Sequence, residues 1–255
     1  MFELNDVSFH LEGWPLLHSV SLQIPRGQMV GLIGHSGSGK STLLGLLARQ
    51  LVPSGGLLRL DERPLAAWSA REFAGLVAYL PQRVPATCAL RVRELVGSGC
   101  HPWRGLLGRF AACDRLQAER VLELTDTADL AEQRVDRLSD GERQRVWLAM
   151  LLARDTRYLL LDEPVAALDL ARRLETLARL RELSRQLDLG VVVALHDINL
   201  AARYCDRLIA LHGGRLLVSG SPSALMNPAT LEAIHGIPMR VLQHPDSGHP
   251  IAVAQ

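Results

Sequence analysis

Residues 29–33, Met-Val-Gly-Leu-Ile, are a continuous apolar run that leads into Gly34-His35-Ser36-Gly37-Ser38-Gly39-Lys40-Ser41, after which leucines recur at helical spacing to Leu51. Buried strand, glycine-rich turn and helix in that order constrain the chain to an α/β fold. The octet fits the Gly-x4-Gly-Lys-Ser pattern of a loop that cradles phosphates. Its glycines let backbone amides turn inward around a β-phosphate, and the following helix start adds positive potential. Lys40 reaches the β- and γ-oxygens, and Ser41 offers an oxygen to Mg²⁺. The nucleotide-binding candidates are Gly34, His35, Ser36, Gly37, Ser38, Gly39, Lys40, Ser41 and Thr42; His35 holds a variable position and its side chain has no assigned role. A plain glycine-rich turn with an exposed lysine is the other reading, and the complete octet in this context argues against it.

Around that loop the pattern is mixed. Residues 2–33 carry short alternating apolar runs split at Glu12-Gly13 and Pro25-Arg26-Gly27, which predicts antiparallel strands joined by turns. Segments 56–60 and 76–80 read as further strands. From about residue 87 to 137 the chain is helix-prone with little strand character, which predicts a helical subdomain inserted into the core. Strands at 158–162 and 191–195 flank a helix at 170–187, an alternation that argues for a parallel sheet covered by helices. Helical stretches follow at 223–226 and 229–235, then a turn at Gly236-Ile237-Pro238. The tail from His244 to His249 reads as surface.

Composition excludes more than it assigns. With 28 basic and 27 acidic residues there is no global charge to recruit nucleic acid. The longest apolar stretches, such as 191–195, are far short of the roughly 20 residues that a membrane-spanning helix needs. The start Met1-Phe2-Glu3-Leu4-Asn5-Asp6 shows no secretory signal, so the cytoplasm is the expected compartment. Cys88, Cys100, Cys113 and Cys205 lack paired spacing, which argues against a zinc site or a disulfide framework.

Further chemistry is carried by two acidic elements. Asp162 ends an apolar strand, where neighbouring strands would fix a carboxylate directed at Mg²⁺, and Glu163 adds a second carboxylate beside it. Alone, the pair could be a solvated strand end. Leu138-Ser139-Asp140-Gly141-Glu142 precedes Val146, Trp147 and Met150, so Ser139 and Glu142 form a capping box at the start of an amphipathic helix. A helix start with a glycine and a free serine hydroxyl is also a good place for a γ-phosphate, and the two readings are compatible.

Phosphate loop, Gln82, Leu138–Glu142, the Asp162-Glu163 strand end, Ala167-Leu168-Asp169 and His196 occur in the order and spacing of ABC transporter ATPase subunits, which the chain resembles over nearly its whole length. The resemblance implies a P-loop NTPase with a mostly parallel core sheet, an N-terminal antiparallel β subdomain and an inserted α-helical subdomain. Residues 1–86 and 138–255 would form the RecA-like core, with 87–137 inserted, in one domain. It implies ATP and Mg²⁺, with Ser41, Gln82 and Asp162 at the metal and Glu163, Gln82 and His196 catalytic. Glu163 would polarise the attacking water, Gln82 would link metal and water to a transmembrane partner, and His196 would contact the γ-phosphate. Ser139, Asp140, Gly141 and Glu142 form the signature, which completes the ATP site of a second copy, and Asp169 would reach across that dimer.

A closer resemblance is to the ATPase of bacterial ferric hydroxamate siderophore importers. It is carried by Val77-Ala-Tyr-Leu-Pro-Gln82, Val92-Arg-Glu-Leu-Val96, Pro102-Trp103 with Leu107-Gly-Arg-Phe110, Gly141-Glu-Arg-Gln-Arg145, Leu195-His-Asp-Ile-Asn199 and Gly236-Ile-Pro-Met239. It implies an integral membrane permease as partner, indirectly a periplasmic siderophore-binding protein, and a peripheral place on the cytoplasmic face of the inner membrane. Haem, cobalamin and catecholate importers share the same ATP chemistry, and a soluble ATPase of iron-sulfur assembly is the rival of another class. The chain departs from the family at Asp140, where a glycine is usual, at Val165-Ala166, and at Leu11, where an adenine-stacking aromatic is expected. For Asp140 a capping role is the preferred reading, and Trp14 lies nearby, either as a substitute for the aromatic or as a turn residue packed on the surface.

Overall fold

Phe2, Leu4, Val7 and Phe9 are buried, so the alternation slips by one residue between Leu4 and Val7. The backbone absorbs the slip in a bulge at Asp6, whose φ is 50°, so that all four side chains stay on the core face. The Asp6 carboxylate accepts hydrogen bonds from Ser19 Oγ at 2.9 Å and Ser21 Oγ at 3.1 Å, which staples the bulge to the neighbouring strand.

The computed structural model describes residues 1–84, 89–100, 112–245 and 248–255. In chain order the elements begin with strands β1 (Phe2–Leu11), β2 (Trp14–Ile24) and β3 (Met29–Ile33), helix α1 (Lys40–Leu47), strands β4 (Gly55–Leu60) and β5 (Arg63–Pro64), and helix α2 (Ala70–Ala74). Next come β6 (Val77–Leu80), α3 (Val92–Cys100), α4 (Ala112–Leu124), α5 (Asp140–Leu152), β7 (Tyr158–Asp162), α6 (Leu170–Gln186), β8 (Gly190–Ala194) and α7 (Ile198–Tyr204). The last are β9 (Arg207–His212), β10 (Arg215–Gly220), α8 (Pro222–Leu225), α9 (Pro228–His235), β11 (Met239–Gln243) and β12 (Pro250–Ala254). Pro102-Trp103 and Leu107-Gly-Arg-Phe110 lie outside the described residues.

The elements fall into two compact units, one of residues 1–68 with 180–255 and one of residues 69–179. In the first, an antiparallel sheet of order β2-β1-β4-β5 accompanies β3, which is hydrogen-bonded in parallel to β8 on one side and β9 on the other. Every residue of β3 and β8 is buried, which explains why both read as unbroken apolar runs rather than alternating ones. Asp206 ties the start of β3 down: its carboxylate accepts from Met29 N–H at 3.0 Å and from Arg185 at 2.7 Å. Burial pushes that carboxyl up, but these donors outweigh it and hold its pKa below the usual value. In the second unit β6 and β7 pair in parallel, and α3, α4 and α5 enclose an apolar cluster that includes Val92, Val96, Val121, Leu122, Val135 and Val146.

Two hairpins had not been read from the sequence. β9 and β10 join through Gly213 and Gly214, both at positive φ (53° and 73°), the two-residue turn that suits twisted antiparallel strands. β11 and β12 pair after Gly236, whose φ of 73° ends α9 in the left-handed conformation where the sequence predicted a turn. Asn199, in the first turn of α7, holds that second hairpin: its Nδ2 donates to Ala252 O at 3.0 Å and its Oδ1 accepts from Ala252 N–H at 2.7 Å. We expect Asn199→Ala to lower amide-exchange protection in residues 239–254 by about tenfold, the loss of one or two such bonds, while β3 and β8 keep theirs. Hydrogen exchange read by mass spectrometry checks this.

Candidate functional site

In the first unit β3 runs parallel to β8 with Leu32 opposite Ala194, so the loop after β3 and His196 after β8 emerge at the same sheet edge. Gly34, Gly37 and Gly39 of that loop have φ values of 144°, 77° and 104°, a region that side chains strain to adopt. At Gly34 there is no space either, since a Cβ would lie 2.2 Å from the carbonyl of Leu211. The Gly214 N–H donates to Ser38 O at 3.1 Å while its own carbonyl accepts from His18 N–H at 2.8 Å, so the β9–β10 turn braces the loop against β2.

Lys40 is buried inside the loop it closes. Its ammonium donates to Gly34 O at 2.8 Å and His35 O at 2.9 Å, with Ser38 Oγ at 3.4 Å. α1 begins directly after Gly39 and has no acidic residue in its first turn, so nothing there opposes an anion at its N-terminus. A cradle closed to a Cβ at Gly34 and Gly39, a held ammonium and a helix start fit a nucleotide's phosphates. Ser41 is exposed and Thr42 half-buried. His35 is exposed and meets His212 edge to face, with ring centroids 4.8 Å apart. Trp14 is 75% exposed at the β1–β2 turn, where an aromatic ring is available to a flat ligand. His196 is exposed, and the next residue, Asp197, caps α7 by accepting from Asn199 N–H and Leu200 N–H.

The second unit carries the carboxylates. Because β6 and β7 are parallel with Leu80 opposite Leu161, Gln82 and Glu163 also leave a common edge, and Gln82 Nε2 donates to Glu163 Oε2 at 3.0 Å. Asp162 is buried, and burial together with repulsion by its charge pushes the Tyr79 hydroxyl up to about 12. Glu163 sits at φ 53°, in the left-handed region, where a residue other than glycine costs on the order of 1 kcal/mol or more. Gln144, which the sequence reading had not singled out, donates from Nε2 to the Glu163 carbonyl at 2.9 Å.

The signature segment opens α5 with the full capping box. Ser139 Oγ accepts from Glu142 N–H, Glu142 Oε2 accepts from Ser139 N–H at 2.9 Å, and the Ser139 hydroxyl also donates to Glu142 Oε2 at 2.6 Å. That hydroxyl is therefore engaged rather than free. Its bond to Glu142 is the main reason this carboxyl lies below its usual range, so the cap contributes fully above the ordinary glutamate pKa and is lost as pH falls through the lower folded value. The expectation that Asp140 caps the helix is corrected. Ser139 is the cap; Asp140 is the first helical residue, highly exposed, with its carboxylate 3.4 Å from Arg143.

Gly141 packs closely against the D-loop-like segment: a Cβ would lie a tight 3.1 Å from the Ala167 carbonyl. Signature and D-loop segments consequently line one cavity of about 380 Å³, with Ser139, Gly141, Arg145, Leu168, Asp169 and Arg172 among its walls. Asp169 accepts from Arg172 N–H at 3.0 Å. Arg172 and the buried Arg145 both donate to Asp126 Oδ2, at 2.8 and 3.0 Å, an ion-paired brace behind the signature. Nothing in the spacing of Asp126 announces that brace, since its partners lie on two different helices.

A family model described as ABC transporter matches residues 17–166. Among curated relatives, the hemin import ATP-binding protein HmuV of Pseudomonas putida is 41% identical, covering 94% of this chain and 94% of that protein. The achromobactin transport ATP-binding protein CbrD of Dickeya dadantii is 37% identical over 93% of this chain and 88% of its own length. Among solved structures, the dimeric structure of MJ0796, a bacterial ABC transporter cassette, aligns with a TM-score of 0.77 at 26% identity, covering 87% of this chain and 99% of that one. With its phosphate loop, strand-end carboxylates and signature helix built as described, the chain belongs to the ABC transporter family and is one of its ATPases.

Proposed function

We propose that the chain is the ATP-hydrolysing subunit of an importer that takes up an iron(III) chelate across the bacterial inner membrane, with hydroxamate siderophores as its substrate. The observation that carries the ATPase chemistry is the Gln82 to Glu163 hydrogen bond at the end of β6 and β7, which aims the carboxylate of a residue held at positive φ. Two copies would sandwich two ATP molecules. Each composite site takes Lys40, Ser41, Gln82, Asp162, Glu163 and His196 from one copy and Ser139 and Gly141 from the other. The dimeric solved relative supports that arrangement.

Within such a site Lys40 moves from loop carbonyls to phosphate oxygens, exchanging one set of acceptors for a charged one. Glu163 orients and polarises the attacking water, and His196 adds a donor toward the γ-phosphate. Ser41, Gln82 and Asp162 carry the oxygen donors that suit Mg²⁺, which when bound would neutralise charge developing on the phosphates. Ser139 exchanges its bond to Glu142 for one to the γ-phosphate of the other copy. Asp169 would reach across the dimer, and Trp14 would stack on adenine in place of the missing aromatic. Residues 87–137 would form the helical subdomain facing the permease. Among the described residues no helix is long and apolar enough to cross a membrane, so attachment to the membrane would run through permease subunits. A periplasmic binding protein would deliver the chelate to them.

Hydroxamate specificity rests on the likeness of the segments around Gln82, Val92–Val96 and 195–199 to ferric hydroxamate importers. Hemin is the second reading, favoured by the 41% identity to a hemin import protein against 37% to a siderophore one. In a strain lacking this chain, we expect uptake of labelled ferric hydroxamate to stop and hemin uptake to persist. The reverse result would transfer the substrate to hemin and leave the ATPase assignment standing.

Two protein-level measurements address the mechanism. Glu163→Gln should form a dimer in ATP but not ADP on size-exclusion chromatography, and lose at least ~100-fold in kcat. Asp140→Asn should change stability by less than about 0.5 kcal/mol, because the carboxylate it replaces is highly exposed and its approach to Arg143 is long at 3.4 Å. Removing that carboxylate from the helix start should lower the KM for ATP several-fold, as read from steady-state titration.

A further inference from the structure

The Glu163 carbonyl accepts two hydrogen bonds, one from Ala166 N–H at 3.2 Å within its own turn and one from Gln144 Nε2 at 2.9 Å. Gln144 is only 6% exposed, and its Oε1 is buried with no hydrogen-bond partner among the described residues. Leaving an amide oxygen unsatisfied costs about 1–3 kcal/mol, so the side chain is not placed there for the balance of its own polar groups. Its donor end holds the carbonyl of a residue at φ 53°, a conformation that persists only where surroundings enforce it. The carboxylate at the far end of that same residue is the one Gln82 aims.

Gln144 stands on α5, less than two turns from the Ser139 cap, with both residues in one hydrogen-bonded helix. A shift of the helix start is therefore carried to the Gln144 amide with little loss, because a short helical segment moves as a rigid rod.

We propose that Gln144 is a positioning residue that ties the aim of the Glu163 carboxylate to the seating of α5. The proposal rests on the function argued above. The signature end of α5 serves the nucleotide of a second copy, whereas Glu163 acts on the nucleotide of its own chain. One side-chain hydrogen bond thus joins the two half sites inside one polypeptide: when the partner's nucleotide draws in the start of α5, the Glu163 backbone is held in its hydrolytic conformation. ATP binding at one site sets the carboxylate at the other.

The test uses the full-length chain with Gln144→Met, which keeps the volume and removes the donor, and Gln144→Glu, which keeps the shape and replaces the donor by an acceptor. In steady state both variants should lose ~10-fold or more in kcat, with the KM for ATP within about twofold of wild type, the pattern of a misaimed reacting group. In the Glu163→Gln background, Gln144→Met should still give the ATP-dependent dimer, because the signature itself is intact. A kcat within about twofold of wild type overturns the proposal. So does loss of the dimer in the double variant, or loss of folding in both single variants, since either outcome makes Gln144 part of the α5 scaffold only. If Glu163→Gln alone forms no ATP-dependent dimer, the sandwich mechanism fails instead, and the two failures are distinguishable.

Discussion

The parallel hydrogen-bond ladder around β3 is the interaction on which the other features depend. Met29 through Ile33 pair with β8 on one edge and β9 on the other, fully buried, and Asp206 fixes where the strand begins. A strand held on both edges has a single register, because a one-residue slip would turn every side chain to the other face. The residue at which it ends is therefore fixed, and with it the position of Gly34. From there the loop is constrained at both ends: the Leu211 carbonyl blocks any side chain at Gly34, and Lys40 donates to the carbonyls of Gly34 and His35.

A similar logic operates in the second unit through side chains instead of strand edges. The parallel β6–β7 pair delivers Gln82 and Glu163 to one edge, but the aim of the carboxylate is set by amides, from Gln82 at its tip and from Gln144 at its backbone. The capping box does for α5 what register does for β3, since it fixes the first helical residue and hence which residues face the D-loop. Gly141 lets the Ala167 segment come close, since a Cβ there would meet the Ala167 carbonyl at a tight 3.1 Å. Catalysis by positioning and charge demands this kind of over-determination, as little covalent chemistry is left for the protein to perform.

Much of this was legible in the sequence, for reasons that differ by element. β3, β7 and β8 announce themselves because burial on both faces leaves unbroken apolar runs, and the phosphate loop because its backbone tolerates only glycine at several positions. The capping box was readable since its partners are three residues apart. Asp140 was misread because a carboxylate next to a serine cap looks equally suited to capping, and only the geometry shows the serine taking the amide. β9 and β10 went unread although Gly213-Gly214 between two apolar runs is a hairpin signal. Gln144 lay within the Gly141–Arg145 stretch that carries the resemblance, but nothing in the sequence named its partner, and the Asp126 brace carried no signal: which face of α5 meets the end of β7 is a property of packing, not of local pattern.

Gly214 shows what such packing implies for the order in which the protein is made. The phosphate loop lies near the start of the chain, yet one of its backbone bonds comes from Gly214, and the wall that closes Gly34 comes from Leu211. A nascent chain that has emerged only as far as α6 possesses every residue of the nucleotide-binding pattern and still lacks the groups that shape it. Its loop gains a finished outline only after the ribosome has added the β9–β10 hairpin. Contacts this distant in sequence are slow to close, so the oldest part of each new molecule is among the last to become competent.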